Sequence, residues 1–405
     1  MRTTRRSFLT QTGIAAAGLG LGLASGPAEA ARRRRRRSAN ETIILGVIGT
    51  GGRGTAVMQM AMGCPNTAVA AVCDVYEPRR SQAVTLTDGR ATPYVEYREL
   101  LDREDIDGVI IATPDHWHQR VLTDTVQAGK DAYCEKPMGK TLEQGFEMIK
   151  AVRNTDAVVQ IGTHRRAGQQ YREARKLVEE GKLGTIRFAR GYDCRNYTIL
   201  DPFAPPKEFT GDLDWDRFEG PAGHHEFRPE RYTAWRWFWD YAGGLVTDVG
   251  VHVMDVIHWV TGADTPKSVV CHGSAYQLGY WETPDVVDAM FDYGPHAVNL
   301  HFNFTNQWQG YGLTIYGTSG TMEVRGATVL VFPEGGDPNK PEITIQPQGD
   351  APEHVANWLE CVRSRKEPWA PVELGHQSLL PSHLANIAYR KREMVHWDPE
   401  TRKVS

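Results

Sequence analysis

Six cysteines stand in 405 residues, at positions 64, 73, 134, 194, 271 and 361, and no two of them form a C-x-x-C pair. That excludes a disulfide framework and a zinc knuckle, and the six are expected to be small buried hydrophobes. No run of eighteen apolar residues occurs, so the sequence holds no candidate for a membrane-spanning helix. Internal repeats are missing, and the only low-complexity tract is six consecutive arginines at 32–37. A surplus of positive charge is missing too: the formal net charge is −4. Removing residues 1–30 deletes three arginines and one glutamate and leaves −6; setting the arginine run aside leaves −12. An acidic body excludes nucleic acid as a partner, because neutralising phosphates needs a basic face. At 40% apolar and 24% charged, the remainder is a globular chain long enough for about two domains.

The first forty residues have the layout of an address. Thr4, Arg5, Arg6, Ser7, Phe8 and Leu9 form a twin-arginine pattern, a mild apolar stretch follows at 13–24, and Ala28, Glu29, Ala30 offer a small-residue cleavage site. A Tat export signal is therefore expected over 1–30, with a periplasmic or otherwise exported mature chain. Its apolar part is rich in Ala and Gly rather than Leu, which suits Tat better than Sec. Residues 31–41 are expected as a charged, disordered linker.

The apolar run 43–48 suits a parallel strand buried on both faces, and it leads directly into Gly49, Thr50, Gly51, Gly52, Arg53, Gly54. In this G-x-G-x-x-G, the first glycine permits a tight turn, the second lets backbone approach a pyrophosphate, and the third lets helix pack on strand. A second apolar strand, 68–73, ends at Asp74, twenty residues past Gly54, where a carboxylate can accept hydrogen bonds from ribose hydroxyls. NAD is the expected cofactor. Asp74 would repel a 2′-phosphate, although Arg79 and Arg80 leave NADP open. Further strands at 108–112, 131–134 and 158–161, with helices between such as 119–128, complete a doubly wound α/β Rossmann domain expected over 42–164.

Ligands of such sheets lie beyond the strand ends, which singles out Thr113, Pro114, Asp115, His116, Trp117 and His118 after one strand and Glu135, Lys136, Pro137 after the next. Further on, Asp248, Val249, Gly250, Val251 and His252 form D-x-G-x-H, whose helical spacing puts Asp248 and His252 on one face. Taken alone, Lys136 suits a surface lysine, His252 a core histidine and Asp248 a helix N-cap. Together with the glycine motif, these segments resemble the Gfo/Idh/MocA oxidoreductases, the glucose-fructose oxidoreductase and inositol dehydrogenase group. The resemblance runs through nearly all of the chain beyond the signal.

That resemblance implies a nicotinamide beside Lys136, a cis bond at Pro137, Lys136 hydrogen-bonded to the reacting oxygen, His252 as proton relay and Asp248 as orienting group. Amine and imidazole are also the side chains whose pKa tunes toward neutrality. Gly49, Gly51, Gly52, Arg53, Gly54, Asp74, Thr113, Pro114, His118, Glu135 and Lys136 are the expected cofactor contacts. Trp117, Arg165, Tyr232, Trp235, Arg236, Asp248 and His252 are the expected substrate contacts, with aromatic rings suited to the apolar faces of sugars. No metal is expected: His116 and His118 lack further ligands, while Asp248, His252, Asp255 and His224, His225, Glu226 lie where hydride chemistry needs none.

Residues 165–375 are expected as an α+β domain with an open, mostly antiparallel sheet, and 376–405 as a closing helix and tail. The period of two over 298–304 marks one buried sheet face. Helices are expected at 167–180, 353–363 and 377–390, and the resemblance implies a homo-oligomer through the sheet. The expected function is hydride transfer between a tightly held nicotinamide and a sugar, glycoside or polyol. A redox-neutral cycle through transient C3 oxidation and a non-catalytic sensor are the alternatives. Export removes access to a soluble NAD pool, so it favours a cofactor that stays bound.

Overall fold

The computed structural model describes residues 41–205 and 208–405. The export signal expected over 1–30 and nearly all of the linker expected over 31–41 lie outside them. The first lobe runs β1 (Ile43–Ile48), α1 (Gly52–Met62), β2 (Thr67–Cys73), α2 (Glu77–Leu86), β3 (Thr92–Tyr94) and α3 (Tyr97–Leu101). It continues with β4 (Gly108–Ile111), α4 (Asp115–Gln127), β5 (Asp131–Cys134), α5 (Leu142–Arg153) and β6 (Val159–Ile161). The six strands form a parallel sheet in the order β3-β2-β1-β4-β5-β6. Its strands are apolar on both faces because helices cover both, and Leu45, Val47, Ile110 and Ile111 are fully buried. α4 begins four residues before the expected start at 119, with Pro114 as N-cap and Asp115 in the first turn.

The second lobe opens with a 3-10 turn (His164–Ala167), α6 (Gln169–Glu179) and β7 (Ile186–Cys194). Short helices α7 (Trp215–Glu219), α8 (Pro229–Thr233) and α9 (Gly244–Asp248) lead to α10 (Gly250–Thr261). Then follow β8 (Ser268–Ser274), β9 (Val286–Asp292), β10 (Ala297–Asn303), β11 (Tyr311–Gly317), β12 (Gly320–Arg325), β13 (Thr328–Pro333) and β14 (Ile343–Ile345). The chain ends with α11 (Ala351–Ser364), α12 (Val372–Lys391), β15 (Val395–Asp398) and β16 (Lys403–Val404). Ten strands form one sheet, β14-β13-β12-β11-β7-β10-β9-β8-β15-β16, antiparallel except where β7 meets β10. Alternation along β10 buries Val298, Leu300 and Phe302 against α10 and α12 and leaves Asn299 and His301 on the other face.

Four expectations need correction. α11, expected in the second lobe, packs on the nucleotide sheet: Val355, Trp358 and Leu359 share a core with Leu45, Val47, Met58 and Ile110, and Arg365 pairs with Asp131 at 2.6 Å. The expected tail is structured, since β15 extends the large sheet through Val395 beside Val269. Of the cysteines, Cys73, Cys134, Cys194 and Cys361 are buried, but Cys64 and Cys271 are half-buried, and none of the six is bonded to another. The helix expected to carry both Asp248 and His252 is broken: Val249 ends α9 and caps α10.

Candidate active site

Strand order reverses between β1 and β4, and the crevice beyond their C-terminal ends holds a cavity of about 420 Å³. Gly49 turns at φ +86, where a Cβ would sit 2.6 Å from the Ala112 carbonyl. A Cβ on Gly54 would lie 1.9 Å from the Gly49 oxygen, so only glycine lets α1 close on the turn. Gly51 and Gly52 line the cavity, and a Cβ at Gly52 meets nothing within 4 Å, so bare backbone at the start of α1 faces open space. N–H groups of a first helical turn have no partner within the helix and favour an anion there.

At one end of the cavity Asp74 accepts hydrogen bonds from Thr50 N (2.8 Å, to Oδ2) and Tyr76 N (3.0 Å, to Oδ1), which ties the glycine turn to the end of β2. Arg79 stands beside Gly51 with its guanidinium 4.9 Å from the Tyr232 ring centroid. Arg80 instead donates to the Asp74 carbonyl at 2.6 Å. On the opposite side, Arg53 donates through Nε to Glu135 Oε1 at 2.7 Å, while its Nη2 and the Thr113 Oγ1 are buried without a partner. Two orphaned polar atoms, bare glycine backbone and a carboxylate at the far end suit a dinucleotide with its pyrophosphate at Gly51 and Gly52 and a ribose at Asp74.

The chain closes this cleft with its own strap. Thr210 accepts from the Tyr76 hydroxyl, Leu213 bridges Tyr76, Glu77 N donates to Asp212 O (2.8 Å) and Asp214 N to Val75 O (3.0 Å). Across the cleft, His116 Nε2 and Trp117 Nε1 both reach the Phe218 carbonyl, at 2.8 and 2.9 Å. Residues 209–218 are thus fastened to both walls.

The reacting end begins where Arg236 approaches Asp248, Nε to Oδ1 3.6 Å. Lys136 follows β5, its bond to Pro137 is cis, and its Nζ donates to Asp248 Oδ1 at 2.7 Å and to the Asp248 carbonyl at 2.8 Å. Burial pushes the Asp248 carboxyl upward, but Lys136 and Arg236 outweigh it and hold the group below its ordinary range, as a carboxylate. His252 sits in the first turn of α10 with Nδ1 buried and unpartnered. Burial, reinforced by Lys136, Arg165, His164 and Arg53, drives its pKa well below the ordinary value and keeps the ring neutral. Asp115 is the opposite case: burial, with the Asp248 charge behind it, raises its carboxyl to about 8, so it stays protonated at neutral pH. The two carboxyls are pushed apart, so the pair carries one charge, on Asp248, which holds Lys136.

Not every expected residue lies where the sequence suggested. Gly49, Gly51, Gly52, Arg53, Asp74, Thr113 and Pro114 line the cavity, whereas Gly54 packs behind it. His118 faces away: its nitrogens contact the Pro137 and Thr113 carbonyls at 2.7 and 2.9 Å, clipping two strand ends together. Glu135 is spent on Arg53 and on Lys136 N (3.2 Å). Of the expected substrate contacts, Trp235 and Arg236 line the cavity toward Asp248, and Arg165 stands near His252 with its guanidinium 5.9 Å from the Tyr311 ring centroid. Tyr232 and Trp117 belong to the nucleotide wall, one against Tyr76 and Arg79, the other against Tyr97 and the Phe218 carbonyl. Asp255 is taken by Arg166 and by Ser378 Oγ (2.7 Å), and among the described residues no three His, Cys, Asp or Glu side chains form a metal cluster.

Sequence reasoning missed three groups. Asp115 lay inside a segment already singled out, and its place just before an apolar helix face was the signal. His164 and Asp350 are 186 residues apart and paired only by the return of α11. No local pattern pointed to them.

The fold and this cleft define a two-lobed oxidoreductase with a dinucleotide-binding domain. Residues 43–163 match the oxidoreductase family described by its NAD-binding Rossmann fold, and residues 217–323 match the GFO/IDH/MocA C-terminal domain. The chain belongs to the GFO/IDH/MocA oxidoreductase family. It is 22% identical to the myo-inositol 2-dehydrogenase of Thermotoga maritima, across 87% of this chain and 97% of that one. It is 27% identical to the 1,5-anhydro-D-fructose reductase of Ensifer adhaerens, across 60% and 64%. The WlbA dehydrogenase of Bordetella pertussis, solved with NADH and UDP-GlcNAcA, superposes with TM-score 0.70 at 19% identity, over 88% of this chain and 99% of that one.

Proposed function

We propose that this enzyme transfers a hydride between a nicotinamide nucleotide held in the cleft and a sugar, glycoside or polyol, with Lys136, His252 and Asp248 at the reacting oxygen. The observation that carries this reading is the Lys136 ammonium fixed on the Asp248 carboxylate near a neutral His252, with Asp248 approached at 3.6 Å by Arg236 from the wall of the glycine-lined cavity. When bound, the nicotinamide supplies the two-electron chemistry. Lys136 donates a hydrogen bond to the substrate oxygen and steadies negative charge on it. His252, uncharged, accepts the hydroxyl proton during oxidation and returns it during reduction. Asp248 keeps Lys136 aimed. Trp235 offers an apolar face and Arg236 and Arg165 offer donors, a mixture suited to a polyhydroxylated ring. The relatives named for inositol and an anhydro-sugar support that class.

NAD is the cofactor favoured by the Asp74 carboxylate at the ribose end. The twin-arginine segment supports export, and the strap over the cleft supports a nucleotide that stays bound. Both favour a redox-neutral cycle, or transfer between two substrates, as the second reading.

The test is Lys136→Met, assayed with NAD and a panel that includes D-glucose and myo-inositol. Reduction of the nucleotide should fall at least ~10³-fold, with NAD affinity within a factor of about three of wild type. Unchanged turnover would remove Lys136 from its role. Tight binding with no redox change for any member of the panel in wild type would favour a sensor.

A further inference from the structure

We propose that His164 and Asp350 form a proton outlet for His252, connecting the reacting oxygen to solvent. This rests on the oxidoreductase reading above. The His252 and His164 rings are in edge contact, with centroids 5.0 Å apart and planes at 65°. His164 Nδ1 is hydrogen-bonded to Asp350 Oδ1. Exposure rises along the line: the His164 side chain is 18% accessible and that of Asp350 56%. The His252 Nδ1, buried and unpartnered, is the atom with no other use in the fold.

Stoichiometry calls for such a path. Oxidation of a carbinol removes a hydride from carbon and a proton from oxygen; the hydride goes to the nicotinamide, and the proton goes to His252. An imidazole held neutral by burial and surrounded by Lys136, Arg165 and Arg53 is a poor store for that proton. Passing it to His164, beside a carboxylate, moves the charge to a place that stabilises it. It leaves to water at Asp350, and reduction runs the same path inward.

The charged and titratable groups around His164 are consistent with this direction. α10 brings His252, and its Asp255 is already held by Arg166. α11 brings Asp350, Glu353 and His354, of which Glu353 bonds the Asp350 backbone N–H at 2.7 Å and His354 is kept neutral chiefly by burial. α6 brings Tyr171, raised by burial and therefore neutral, and the turn itself carries Arg165 and Arg166. Asp350, held below the usual carboxylate range by His164, Arg165 and Arg53 against the pull of burial, is the anion paired with His164.

The experiment compares wild type with His164→Gln and Asp350→Asn, the latter keeping an acceptor at the α11 N-cap. Nucleotide reduction is followed with NAD and myo-inositol or D-glucose as probes, at low and high imidazole buffer. In His164→Gln the rate should fall about 10-fold at low buffer and recover as imidazole is added, while wild type ignores the buffer. Nitrogen NMR of the histidine rings supplies an arm without turnover: Asp350→Asn should change the His164 tautomer populations, and His164→Gln those of His252. A His164→Gln enzyme with wild-type, buffer-independent rate overturns the outlet, as does a His252 ring signal indifferent to His164. Wild type inert toward both probes counts against the oxidoreductase reading, and the NMR arm then decides the outlet alone.

Discussion

Replacing Asp115 by Asn should make the enzyme more stable, and increasingly so as pH rises. In the folded chain this carboxyl is raised from 3.8 to about 8, first by burial and then by the Asp248 charge. A group with a raised folded pKa contributes stability that is complete below its unfolded pKa and is lost as pH climbs through the folded value. Between about pH 4 and about pH 8 the native state therefore holds one proton that the unfolded chain has released, and wild-type stability falls by about 1.4 kcal/mol per pH unit from this group. Asparagine has the same shape, stays neutral throughout and suits the first turn of α4. The gain from Asp115→Asn should thus grow by about 1.4 kcal/mol per unit and reach about 4 kcal/mol near pH 7. Denaturant titrations of both proteins at several pH values in that window measure it directly. Parallel stability curves, with no growth in their difference, would refute the assignment of a protonated carboxyl beside Asp248.

Two further perturbations separate the parts of the cleft. Gly54→Ala forces a methyl to 1.9 Å from the Gly49 oxygen, so it should cost more than ~2 kcal/mol and abolish the thermal shift that NAD gives wild type. A retained NAD-dependent shift would mean α1 has room to move. Tyr76→Ala removes the hydroxyl bond to Thr210 and ring contacts at 5.2 Å to Phe209 and 5.3 Å to Tyr232, so the strap loosens. Release of bound NADH, chased with unlabelled nucleotide, should accelerate about 10-fold; unchanged release would show that the strap does not govern exchange.

The nucleotide half of this architecture was legible because its signals are local. A continuous apolar run, three glycines and an acid twenty residues later each answer to one short stretch of backbone, and the strands fell within a residue or two of where periodicity put them. Asp248 and His252 were legible as chemistry but not as geometry: a spacing of four residues suits one helix face, and nothing in the sequence marks Val249 as the break. Tyr232 and Trp117 resemble sugar-binding rings in composition, yet their positions depend on a strap that folds back onto residues 75–77 and onto His116 and Trp117. His118 looked like a ligand contact and is a clip between two carbonyls. The packing of α11, expected as a helix, escaped for the same reason as the His164 and Asp350 pair, because its partners lie hundreds of residues upstream.

Hydride transfer in this cleft is tested most directly by titrating the purified protein with NAD and then adding D-glucose or myo-inositol while following the absorbance of reduced nicotinamide. One nucleotide per chain, reduced on addition of a polyhydroxylated substrate, is the result this account requires. A protein that takes up no pyridine nucleotide under those conditions would contradict it.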